Sequence, residues 1–124
     1  MSFTARALVV LAGLAPAALA QNQYWLHQFG TSTNDIAVAV AGDGAGGAFV
    51  VGETVGSLGG PSAGDFEAWV ARYDANGNRL WIRQFGTSAF DVAHMAAPDG
   101  SGGVFVSGFT EGVLGAQFLA AAAG

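Results

Sequence analysis

Two stretches of this chain carry the same text. Trp25-Leu-His-Gln-Phe-Gly-Thr-Ser32 returns as Trp81-Ile-Arg-Gln-Phe-Gly-Thr-Ser88, 56 residues later, and the alignment then runs on without a gap. Asp35 falls on Asp91, Asp43-Gly44 on Asp99-Gly100, Phe49-Val50 on Phe105-Val106, and Gly52 and Thr54 on Gly108 and Thr110. About 20 of the 36 aligned positions are identical, which marks a duplication. A unit that restarts at a fixed period has to bury its apolar faces against its own copies, so the fold is constrained to a repeat architecture.

Within one period the residues spell four short strands. Asp35 to Ala41 places Ile36, Val38 and Val40 at alternate positions, and Ala48 to Thr54 is a nearly continuous apolar run. Between them, Asp43-Gly44 supplies the positive φ that a tight hairpin demands. Asp65 to Tyr73 has one face of Phe66, Ala68, Val70 and Arg72 and another of Glu67, Trp69, Ala71 and Tyr73. Asn76-Gly77 then turns it into Arg79 to Phe85. Tyr24 to Phe29 is expected to form a further, leading outer strand. The chain is thus expected to be all-β, built from four-stranded antiparallel propeller-blade repeats, about one and a half of them, in an incomplete ring, with a sandwich or a solenoid as the alternatives.

The period divides the chain into repeat one, about 25–80, and a partial repeat two, about 81–116, within a repeat region of 21–116. An off-pattern, Ala-rich stretch, 117–124, stands where another Asp-Phe-x-Ala-Trp-Val strand is due. Two expectations follow: a truncated or frameshifted product of a longer propeller gene, or a half-unit that completes itself by self-association through open blade edges. In either case the isolated chain is expected to run as an oligomer or aggregate.

Residues 1–20 read as a signal peptide. Arg6 precedes an apolar run from Ala7 to Ala15, Pro16 breaks it, and Ala18 and Ala20 place small residues where signal peptidase needs them, so that cleavage falls before Gln21. The run is too short to span a bilayer. A secreted, periplasmic or cell-surface location after cleavage is expected.

Composition narrows the function further. The chain has 4 basic and 9 acidic residues and a net charge of −5. Without Arg6, three arginines (Arg72, Arg79, Arg83) remain, and these do not make the basic patch that nucleic acid or an anionic membrane requires. There is no cysteine, hence no disulfide framework and no thiolate metal site.

The motifs Trp-x-x-Gln-Phe-Gly-Thr, Asp-x-Ala, Asp-Gly-x-Gly-Gly-x-Phe-Val-x-Gly-x-Thr and Asp-Phe-x-Ala-Trp-Val-x-Arg-Tyr-Asp-x-Asn-Gly, in fixed order over Tyr24 to Gly115, resemble the bacterial SBBP-type β-propeller repeats. The resemblance implies a propeller fold in secreted or surface proteins. It implies no catalytic residues.

Residue by residue, the candidate chemistry thins out. His27 and His94 lie outside the repeated pattern and read as surface or edge-strand histidines. Asp74-Ala-Asn76-Gly-Asn78 begins like a calcium loop, yet Arg79 stands at the sixth position and Phe85 at the twelfth, so it reads as a hairpin. Asp43 and Asp99 read as turn aspartates, since a phosphate loop wants a lysine and a following helix. Asp35 and Asp91 read as loop caps, with a ring of carboxylates around a central opening as the alternative. Glu53 and Glu67 are the one pair that invites a glycoside-hydrolase reading, and nothing in the sequence sets their separation.

No residue calls for a catalytic, cofactor or metal role, and the leading expectation is a non-catalytic binding or adhesion scaffold whose partner is a glycan or a surface protein. The rivals are a remnant of a propeller-type polysaccharide hydrolase or lyase, and a non-functional truncated product.

Overall fold

The computed structural model describes residues 24–115. The expected signal peptide, 1–20, the cleavage site expected at Ala18, Ala20 and Gln21, and the Ala-rich stretch 117–124 lie outside the described residues. The described residues are all-β and contain no helix. Strands β1 (Asp35–Gly42), β2 (Ala48–Thr54), β3 (Glu67–Tyr73) and β4 (Arg79–Phe85) form one antiparallel sheet in sequence order. Strands β5 (Asp91–Pro98) and β6 (Val104–Thr110) form a second sheet, again antiparallel.

Strand positions follow the expected pattern closely, and the turns are longer than Asp-Gly and Asn-Gly alone imply. Each hairpin loop has five residues: 43–47, 74–78 and 99–103. Each is closed by a backbone bond between its first and last residues, such as Asp43 N–H to Gly47 O at 3.0 Å. In each the first residue is an aspartate whose Oδ1 accepts two backbone N–H groups, from Ala45 and Gly47, Asn76 and Asn78, or Ser101 and Gly103. This Asx arrangement widens the loop, and the positive φ falls on Gly44 and Gly46, on Gly100 and Gly102, and on Gly77, where it is 83°.

The two sheets pack face to face, with β5 lying across β1, β2 and β3. Alternation along β3 decides which side chains meet this interface. Ala68 and Val70 point into it and join Val51 and Ala93, with Trp81, Phe85, Val104 and Val106 around them. The opposite face of β3 carries Trp69, Ala71 and Tyr73, which are buried under Trp25, Phe29 and Leu58.

That second layer overturns one expectation. Tyr24–Phe29 is not a strand. It drapes across the sheet: Trp25 stacks on Tyr73 at 5.7 Å between ring centroids, and Phe29 meets Trp69 edge-on at 5.4 Å. A segment lying on a face has no sheet edge to exchange ladder hydrogen bonds with, so its aromatic rings hold it instead. At the start of the third strand, the ladder begins at Glu67 rather than Asp65.

Each unit also contains a β-bulge, between Ala37 and Ala39 in β1 and between Ala93 and Met95 in β5. Beside the bulge, the carbonyl of Ile36 presses so close to Gly52 that a Cβ there would lie 1.9 Å from its oxygen, and Gly108 stands in the same relation to Val92. Glycine is repeated here because nothing larger fits. Gly52→Ala is therefore expected to cost about 1–3 kcal/mol in urea unfolding, and an unchanged midpoint would show that β1 can shift freely.

Candidate functional site

The five-residue hairpins occupy one end of the sheets, and the buried carboxylates cluster at the other. Asp35, Glu67 and Asp91 begin β1, β3 and β5, and Glu67 and Asp91 are 2% and 1% exposed. Asp91 Oδ2 accepts from the Thr87 backbone N–H at 2.6 Å and from the Thr87 hydroxyl at 3.0 Å. Asp35 holds Thr31 in the same way. Both aspartates thus cap the loop before their strands, as the residue types suggest.

Glu67 is held by Gln84, whose Nε2 donates to Glu67 Oε2 at 2.6 Å and to the Gly56 carbonyl at 2.9 Å. Gln84 Oε1 accepts the N–H groups of Leu58 and Gly59. One side chain therefore ties the Gly-rich loop after β2 to β4 and to a buried carboxylate. Gly86 is the point where the Glu67 and Asp91 side chains converge: a Cβ there would lie 2.7 Å from Asp91 Oδ2 and 3.1 Å from Glu67 Cγ.

The repeats differ at the second oxygen of the capping aspartate. Asp35 Oδ1 accepts from the Thr54 hydroxyl at 2.6 Å. The Thr110 hydroxyl instead donates to the Gly112 carbonyl, and Asp91 Oδ1 is buried without a hydrogen-bond partner. The Asp91 residue lines a cleft of about 140 Å³ between the sheets, together with Ala68, Phe85, Gly108, Phe109 and Thr110. Asp91 Oδ1 is the one buried carboxylate oxygen without a hydrogen-bond partner among the described residues.

The remaining candidates fall elsewhere. Glu67 pairs with Thr54 in the β2–β3 ladder, so the neighbouring Glu53 projects from the opposite face, and the two carboxylates do not flank a common site. His27 lies edge-on to Tyr73 at 5.3 Å, and His94 is exposed on β5. Among the described residues no three His, Asp or Glu side chains converge as metal ligands. No helix among them is long and apolar enough to cross a membrane.

The hairpin aspartates carry an electrostatic signature. Backbone N–H donors hold Asp43, Asp74 and Asp99 below the usual carboxylate value of 3.8, chiefly from Ala45, Asn78 and Ser101 respectively. Because the folded values are depressed, their stabilisation is complete above pH 3.8 and is lost as the pH falls through the folded values. The melting temperature of the full chain is expected to drop below about pH 4. The triple variant Asp43→Asn, Asp74→Asn, Asp99→Asn, whose amide oxygens accept the same bonds, is expected to drop less. An identical acid limb in the two proteins would refute the assignment.

Comparison with known proteins adds no identity: no family model matches the chain, and no curated protein matches it.

Sequence reasoning missed the roles of Gln84 and Glu67. The recurrence of Gln28 and Gln84 in the Trp-x-x-Gln-Phe-Gly motif was the available signal.

Proposed function

We propose that the chain is an exported β-propeller repeat protein, or a fragment of one, of the SBBP type, acting as a non-catalytic binding or adhesion scaffold at or outside the cell surface. The observation that carries this reading is the packing of one repeat upon the next. The strands of the second copy lie face to face on the four-stranded sheet of the first, which is how neighbouring blades bury their apolar faces.

The carboxylate geometry supports the non-catalytic part. Asp35 and Asp91 have their Oδ2 atoms committed to loop caps, and Glu67 is held by Gln84. The partner class is a glycan or a surface protein. The test is a panel of glycans and surface proteins assayed for both binding and turnover with the full chain. Binding without turnover supports the scaffold, whereas hydrolysis or elimination abolished by Glu67→Gln would replace it with the polysaccharide-degrading reading.

A further inference from the structure

We infer that the outer edge of β6 is an acceptor for an extended polypeptide strand with the chemistry of Glu67–Tyr73, borne on a hairpin like that of Glu67–Phe85. The inference names a partner for the scaffold proposed above and rests on the equivalence of the two repeats.

The template for the occupant is inside the molecule. Val104–Thr110 is the repeat counterpart of Ala48–Thr54, with Phe, Val, Gly and Thr kept at the positions of Phe49, Val50, Gly52 and Thr54. In the first sheet that strand is covered by β3, in the register Thr54↔Glu67, Gly52↔Trp69 and Ala48↔Tyr73. In the second sheet β6 is paired to β5 alone among the described residues. An unpaired row of N–H and C=O groups is a template for strand addition.

Side chains along the two strands tell the same story. Phe49 is fully buried, with the Arg72 guanidinium 5.2 Å above its ring and Trp81 beside it at 6.1 Å. Both covering groups come from the β3–β4 hairpin. Its counterpart Phe105 is 69% exposed, and Phe109 is 50% exposed.

Charge is complementary as well. Asp43 commits Oδ1 to its own loop and offers Oδ2 to Arg72 at 3.5 Å. Asp99 commits Oδ1 in the same way, and its Oδ2 stands ready for an arginine at the position of Arg72 on an incoming strand. At the far end, Gly108 lines the cleft. Its counterpart Gly52 lies against the Trp69 ring, where a Cβ would approach Cζ2 to 2.9 Å. The cleft, lined by Gly108 and Asp91, is where the tryptophan end of the strand begins. The occupant needs a small residue, then Trp, Val, a small residue, Arg and Tyr.

The test is a labelled synthetic peptide spanning Asp65–Gly86, titrated by fluorescence anisotropy into the full chain. Hydrogen exchange is measured in parallel on the complex. Saturable one-to-one binding is expected, with new protection of the Val104–Thr110 amides. A peptide carrying Trp69→Ala is expected to bind at least about tenfold more weakly. One carrying Val70→Pro, which removes an N–H and disrupts the extended strand, is expected not to bind.

Equal binding of the proline peptide would overturn the inference. So would protection confined to other strands, or a chain whose β6 amides are already protected by a second copy that the peptide does not displace. These results leave the scaffold reading standing, since that reading fails on turnover in the glycan and protein panel and not on peptide binding.

Discussion

Trp69→Ala is expected to destabilise the chain by about 3–5 kcal/mol in urea unfolding. Trp69 sits on β3, an inner strand paired on both sides, is 1% exposed, and supports both the Gly52 backbone beneath it and the Phe29 ring above it. Truncation removes the ring and leaves a void that β2 and β4 cannot close without breaking their ladders with β3. The effect should reach the segment that drapes over this face. Phe29 loses its edge-on contact, and Trp25 is expected to become more exposed, with a red-shifted emission against a Trp81→Phe background. Trp69→Phe tests the account, because it keeps an aromatic ring while removing the Nε1–H that is buried without a partner. It should cost less than the alanine variant, and a loss below about 1 kcal/mol for Trp69→Ala would show that the face is not closely packed.

The strand positions were legible because the same turn chemistry closes each hairpin, with Asp43 and Asp99 one period apart and Asp74 between them. Asp43, Asp74 and Asp99 each announce a loop, and the apolar runs between loops have strand length. The two faces of β3 were equally legible, since a period of two assigns Val70 and Trp69 to opposite sides whatever packs there. The draped segment was not. Tyr24–Phe29 is apolar enough to be a strand, and only the presence of an uncovered face bearing Tyr73 and Trp69 determines that its rings lie flat instead.

The carboxylate end was hidden for a different reason. Alternation puts Glu67 on the same face as Trp69 and Tyr73, so its burial is visible in the pattern, but its partner is not. Gln84 reaches it from 17 residues away and simultaneously holds a loop 28 residues away. Such a network depends on β4 lying beside β3, and no local spacing encodes it. The difference between Asp35 and Asp91 was likewise invisible, because the residues concerned, an aspartate and a threonine, are the same in both copies.

Gln84 is therefore the position where the repeat provides its own control. Gln84→Ala removes the donor from the Glu67 carboxylate, which is 2% exposed, and leaves the Leu58 and Gly59 N–H groups and the Gly56 carbonyl without their partner. A hydrogen bond to a buried charge is worth about 1.5–3 kcal/mol, and the orphaned backbone groups add to that where water does not reach them. A loss of about 3 kcal/mol is expected by denaturant unfolding. Faster hydrogen exchange at Leu58 and Gly59 should accompany it. The counterpart Gln28 has the same sequence neighbours but lies exposed on the draped segment, so Gln28→Ala is expected to stay within about 0.5 kcal/mol. Adding Glu67→Gln to Gln84→Ala removes the unpaired charge and should recover part of the loss, giving a coupling energy for the pair. Equal effects of the two glutamine variants would mean that the motif is kept for its backbone alone. A large difference would mean that the motif acquires its structural role only in the copy that has a β3 strand beside it to hold.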